Sequence, residues 1–243
     1  MLRAGRRPAS DWTSEVSSSY ALAGFLFAVF IGFTLLVMGP WIGIDAFFNV
    51  RRPPDGWLPV LHVLDRIGQR AVCLPILGAV IFWIWRRTGR TRPLVVAAVS
   101  VFMLNAIVAV LKIWLGRGEP GSGIPDFFVG GMAYPSGHTA NILLVYGLIP
   151  YLLRTYAGVR TRTVQVLGGI VVLLSALMVT VSVTLTWHWL ADLWAGLLIG
   201  GVVLALTSGV DHAIPRDTFA AGLRPGLRRL PGLVLRRHDV GAP

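Results

Sequence analysis

Six stretches of this chain carry no charged side chain and are each close to the length that crosses a membrane: residues 21–44, 71–85, 94–111, 139–153, 164–187 and 193–210. A hydrocarbon core about 30 Å thick asks for roughly 20 apolar residues in a helix, so the two shortest runs need a few flanking residues to span it. In lipid every backbone N–H and C=O must be satisfied within the segment or within a closed barrel. The runs show none of the alternating, turn-punctuated pattern of barrel strands. The expectation is therefore an all-α polytopic membrane protein, a bundle of six transmembrane helices. With 55% hydrophobic and 14% charged residues, the composition lies far from that of a soluble domain. The first run is too long for a signal-peptide core and precedes no small-x-small cleavage site, so it reads as a retained helix. The single cysteine, Cys73, lies in the second run and can form no disulfide within the chain.

A net charge of +11 raises the question of nucleic acid, and the placement of the charges answers it. If the spans alternate, sixteen Lys and Arg fall on the side of the two termini and six on the other. By the positive-inside rule both termini are cytoplasmic, and the excess is a topology signal with weak attraction to anionic lipid. No aromatic-interleaved basic patch marks a nucleic-acid module, so the expected partners are the lipid bilayer and a membrane lipid, with no nucleic acid. Residues 1–20 and 211–243 read as cytoplasmic tails around one membrane domain, 21–210. In the first outer loop, WLPVLHVLDRIGQR has helical apolar spacing and suits an interfacial helix. Its His62 is expected to be packed there without a chemical role.

Three polar groups stand at the outer ends of spans. His188 and Asp192 lie four residues apart, on one helical face if the last span begins near His188. The carboxylate can then hold one ring nitrogen and leave the other basic. Flanked by Trp187, Trp189 and Trp194, the same two residues also fit an aromatic belt. Second, Pro135-Ser136-Gly137-His138 runs into the fourth span. Its free backbone N–H groups and the Ser136 hydroxyl suit an anion, Gly137 permits close approach, and His138 can donate a proton. From the string alone, a plain helix N-cap by Ser136 with a solvated His138 is the favoured reading. Third, Lys112, the only lysine, either meets an anion or snorkels to the interface. All three fall on one side of the membrane under a topology drawn from independent charges.

Lys112, the PSGH string at 135–138 and His188-x3-Asp192, in this order among six spans, resemble the three signatures of the type 2 phosphatidic acid phosphatase superfamily. The resemblance covers residues 40–205. It implies a metal-independent, cofactor-free hydrolase of phosphomonoesters or diphosphates. In that scheme His188 attacks phosphorus to give a phosphohistidine, Asp192 orients it, and His138 protonates the leaving oxygen. Lys112, Ser136 and the Gly137 N–H hold the phosphoryl oxygens.

The chain departs from that pattern twice. The family's Lys-x6-Arg-Pro reads Lys112-x6-Glu119-Pro120, and its Ser-Arg-x5-His reads Val181-Ser182-x5-His188. Two phosphate-binding arginines are missing, each charged hydrogen bond being worth roughly 1.5–3 kcal/mol. We expect Arg117 to replace one of them, with Glu119 turned away or paired to it, and Ser182 to stand by the phosphate. Glu119 could instead meet a cationic headgroup, or the site could bind lipid without turnover. The expected activity is a plasma-membrane lipid phosphatase acting outside the cytoplasm on a polyprenyl diphosphate or a phosphatidate-like lipid. A phosphotransferase using the same residues and a catalytically inert lipid-binding protein are the alternatives, and a transporter fits less well because no buried ion relay is visible.

Overall fold

The computed structural model describes residues 9–48 and 53–215, and these are almost wholly helical. In chain order the helices are α1 (Ala9–Met38), α2 (Ile44–Phe47), α3 (Leu58–Asp65), α4 (Arg70–Thr88), α5 (Arg92–Leu115), α6 (Gly137–Asn141), α7 (Gly147–Ala157), α8 (Thr161–Thr184) and α9 (Leu190–Ala213). Among the described residues five helices are long and apolar enough to cross a membrane, those of α1, α4, α5, α8 and α9. Large apolar side chains such as Phe25, Phe102, Ile113 and Leu173 point outward. Water would make that surface costly, whereas acyl chains accept it.

The fourth expected span, 139–153, lies within one helical stretch, 137–157, in which α6 and α7 are joined by a π turn, Ile142–Tyr146. This stretch is mostly buried, with Ala140, Ile142, Leu144 and Leu148 at 0% exposure. α1 begins at Ala9, inside the segment expected to be a tail. From residue 216 onward, the expected C-terminal tail lies outside the described residues. The expected interfacial helix is α3, followed by a 3-10 turn, Arg66–Gly68, that leads into α4.

α9 is the axis of the bundle: 61% of its most apolar window is buried, against 22–28% in the other four spans. Glycine makes this possible. A Cβ on Gly196 would lie 2.2 Å from Thr139 Oγ1 and 2.4 Å from the Ser136 carbonyl oxygen, and one on Gly200 would lie 2.8 Å from the Ala140 carbonyl oxygen. This Gly-x3-Gly face lets the backbones of α6 and α9 touch, the small-residue packing expected where helices meet in lipid. Thr139 Oγ1 donates to the Leu193 carbonyl at 2.9 Å across the same contact.

α1 lies along α9, with Ser19 on Ser208 at 3.2 Å and Leu26 against Gly201. At one end of the bundle Asp211 of α9 accepts from Arg92 of α5 and from Tyr151 and Tyr156 of α7 at 2.6–2.8 Å, a buried polar clasp. At the other end stand the first turns of α4, α6 and α9 and the last turn of α5.

Candidate active site

α9 starts at Leu190, two residues after His188, because Asp192 folds back to accept the Trp189 N–H at 2.9 Å. An acidic side chain in the first turn is also favoured by the helix dipole. The turn before it uses Thr186 in the left-handed region, φ 55°, an unusual conformation for a β-branched residue. His188 then stands with Nδ1 3.4 Å from Asp192 Oδ2, and its side chain is 13% exposed. Among the described residues, no hydrogen-bond partner is seen for Nε2.

The Ser136 turn is tied to the same helix end. Ser136 N–H donates to the Asp192 carbonyl at 2.9 Å, and His138 follows in the first turn of α6. A Cβ on Gly137 would meet nothing within 4 Å, so space stands open beside the turn. His138 lies within electrostatic reach of His188, Lys112, Asp65 and Arg70, and Lys112 within reach of Asp192 and Glu119. Among the described residues, the buried side-chain polar atoms without a hydrogen-bond partner are Ser136 Oγ, His138 Nε2 and Asp65 Oδ1. Buried polar atoms rarely go unpaired, and all three of these belong to this one place.

Arg117 sits elsewhere than the phosphate-facing position expected from the sequence. It is 0% exposed and lies behind Asp192. Nε donates to the Pro125 carbonyl at 2.9 Å, one terminal nitrogen to Asp192 Oδ1 at 2.6 Å, and the other to Asp45 Oδ2 at 2.5 Å. Its guanidinium lies 4.9 Å from the Phe127 ring and 5.8 Å from that of Trp189, a further attraction for a planar cation. The loop closes around it through glycine, since a Cβ on Gly131 would lie 2.1 Å from the Arg117 carbonyl oxygen. Arg117 is thus a clamp on Asp192, and Glu119 is not paired with it. Asp45, from α2, also accepts the Ala191 N–H at 3.0 Å. Burial pushes its carboxyl up from the ordinary value against the pull of Arg117.

The remaining expectations divide. Lys112 is half-buried, and its ammonium donates to the Met132 carbonyl at the edge of the site. Ser182 is buried, and its hydroxyl lies 3.5 Å from Met178 Sδ within α8. Glu119 is exposed. His62 is also exposed, and its ring centroid lies 5.5 Å from that of Trp187.

Two residues at the site went unnoticed in the sequence, Asp45 and Asp65. Asp65 is 0% exposed, with Oδ2 3.5 Å from His138 Nε2. Their signal was an acidic residue in an apolar boundary segment, which is costly enough to need a partner.

A family model described as the PAP2 superfamily matches residues 93–214. Phosphatidylglycerophosphatase B of Bacillus subtilis (strain 168) is 28% identical over 175 residues, covering 69% of this chain and 80% of that protein. A crystal structure of a transmembrane PAP2-type phosphatidylglycerolphosphate phosphatase from Bacillus subtilis superposes with a TM-score of 0.66 at 21% identity. The match covers 80% of this chain and 98% of that one. It fixes the likeness of fold.

Proposed function

Because the chain belongs to the PAP2 superfamily, we propose that it is a membrane lipid phosphatase that hydrolyses a lipid mono- or diphosphate through a phosphohistidine. The observation that carries this reading is the pairing of His188 with Asp192 beside a turn whose Ser136 Oγ is buried without a hydrogen-bond partner and which carries His138. His188 Nε2 forms the bond to phosphorus while the bond from phosphorus to the lipid oxygen breaks. Asp192 accepts the Nδ1 proton and stabilises the positive ring. His138 gives a proton to the leaving oxygen, then takes one from the water that releases phosphate.

Lys112, Ser136 Oγ and the Gly137 N–H hold the phosphoryl oxygens as charge develops. Arg117 and Asp45 act through Asp192, as positioning residues. The same scheme asks for no metal, since both the nucleophile and the acid are side chains.

The domain of 21–210 lies in the plasma membrane with both termini cytoplasmic, and the stretch 137–157 is its sixth span. Its 21 residues rise about 32 Å at 1.5 Å each. The histidines then stand at the outer boundary, where an amphiphile keeps its chain in the bilayer and presents its phosphate. Phosphatidylglycerophosphate, phosphatidate and polyprenyl diphosphates are the candidate substrates, and the likeness to phosphatidylglycerophosphatase B of Bacillus subtilis supports testing the first of them first.

The test is phosphate release from these lipids by detergent-purified protein in EDTA, beside His188→Ala. Release by the native protein alone, with an acid-labile phosphoryl label on it, supports the scheme. A folded protein that is silent on every lipid overturns it in favour of a binding role.

A further inference from the structure

His138 has a carboxylate of its own. Asp65 ends α3, and Oδ2 sits 3.5 Å from His138 Nε2 and 3.3 Å from Gln69 Nε2. Its other oxygen has no partner, although the residue is 0% exposed. The ring is wedged into place: a Cβ on Gly68 would lie 3.3 Å from His138 Cδ2 and 3.0 Å from the terminal carbon of Met178. The 3-10 turn that carries Gly68 is held in turn by Tyr146, whose hydroxyl donates to the Ile67 carbonyl at 3.0 Å.

The charged groups facing His138 come from four elements. Asp65 belongs to α3, Arg70 to α4, Lys112 to α5 and His188 to the turn before α9. Three of the four are cations or become cations. A histidine that delivers a proton to a leaving group has to carry that proton when the substrate arrives, and burial first of all, then those three neighbours, oppose it. Asp65 alone favours it. The need is mutual, because a buried carboxylate with unspent lone pairs is costly until a cation faces it.

We propose that Asp65 is the positioning residue of His138: it holds the Nε2–H, fixes the tautomer and keeps the ring protonated, so that Nδ1–H is the bond aimed at the leaving oxygen. The site is then two histidine–carboxylate pairs, His188 with Asp192 for attack and His138 with Asp65 for departure. As the bond from phosphorus to the lipid oxygen breaks, its electron pair goes to that oxygen, the Nδ1 proton follows, and Asp65 keeps the Nε2 proton throughout. The kinetic part of this rests on the hydrolase reading above, whereas the pairing itself does not.

The experiment is a nitrogen-15 histidine NMR titration of the full chain in detergent micelles, native against Asp65→Asn and Asp65→Glu, with His138→Gln assigning the resonance. The His138 midpoint is expected to fall by about one pH unit in Asp65→Asn and to recover in Asp65→Glu. On lipid phosphates the alkaline limb of kcat/KM moves to lower pH in Asp65→Asn, and kcat drops roughly ten- to a hundredfold. With p-nitrophenyl phosphate, whose leaving oxygen needs no proton, the first-turnover release of p-nitrophenolate falls less in Asp65→Asn than release of the lipid does.

A midpoint unmoved in a folded Asp65→Asn overturns the proposal, as does an equal loss on both leaving groups. If the native protein releases no phosphate, the hydrolase reading falls, and the NMR midpoint still decides the pairing by itself. If Asp65→Asn does not fold, Asp65→Ser is judged by the same midpoint.

Discussion

Replacing Arg117 by methionine separates a clamp from a phosphate ligand. Methionine keeps the length and apolar packing among Phe127, Tyr134 and Trp189 and removes the charge. Asp192 and Asp45 each lose one charged hydrogen bond, of 2.6 and 2.5 Å, and each keeps a backbone N–H, from Trp189 and Ala191. At about 1.5–3 kcal/mol per charged bond the joint cost is roughly 3–6 kcal/mol.

Asp45 recovers part of this by taking up a proton, toward which burial already pushes it, so the lower end applies. At about 2–4 °C per kcal/mol for a domain of this size, a 3 kcal/mol loss lowers Tm by about 6–12 °C. The deficit shrinks as pH is lowered from 7 to 5, because the folded state of the variant binds the extra proton and the unfolded chain does not. Thermal unfolding in detergent at both pH values reads these terms, and phosphate release at saturating lipid reads the effect on kcat. Arg117→Lys rescues little, since one ammonium cannot reach the three acceptors that the planar fork serves. A variant with native Tm and kcat and only a raised KM would falsify the clamp and return Arg117 to the phosphate.

Four further outcomes are expected. Ser182→Ala leaves kcat/KM within about twofold, because the hydroxyl is buried and directed at Met178 Sδ; a tenfold loss of phosphate release contradicts this. Glu119→Ala changes stability by less than about 0.5 kcal/mol, as its exposure implies, whereas Glu119→Arg supplies the missing cation and lowers KM for a lipid phosphate roughly tenfold; an unchanged KM argues that this position does not reach the headgroup. Gly196→Ala puts a methyl 2.2–2.4 Å from Thr139 Oγ1 and the Ser136 carbonyl and costs roughly 1–3 kcal/mol or more, while Gly169→Ala, which meets nothing within 4 Å, leaves Tm at or above native. Phosphate release persists in EDTA and is lost in His188→Ala; restoration of activity by added divalent cation overturns the metal-free scheme.

Among the described residues the charge-free runs marked all five helices that are long and apolar enough to span, together with the buried stretch 137–157, because apolar length is a local property that a single sequence carries. His188, Asp192 and the Ser136 turn were legible for the same reason, their spacing being short. What connects them was not. Arg117 and Asp45 are 72 residues apart in sequence and Tyr146 and Ile67 are 79 apart, and no local pattern reports such contacts. The sequence alone points Arg117 at the phosphate, because its charge and its expected side of the membrane are all that a local pattern carries. Its complete burial depends on the loop that folds over it, including the close passage at Gly131. Asp65 looked like one polar residue on an interfacial helix; that it points inward at His138 follows from where α3 docks against α8.

The touching backbones of α6 and α9 bear on how this chain keeps its alignment with two arginines missing. Ser136 and Asp192 hold their separation because Thr139 and the Ser136 carbonyl already fill the room where a Cβ of residue 196 would sit, so the spacing is enforced by volume exclusion and does not depend on a bound anion to draw the parts together. In a site built that way, lost cations weaken the grip on phosphate and leave the angle of attack intact. Under the proposed chemistry the deficit falls on affinity, a quantity that a substrate confined to the same bilayer restores through its local concentration.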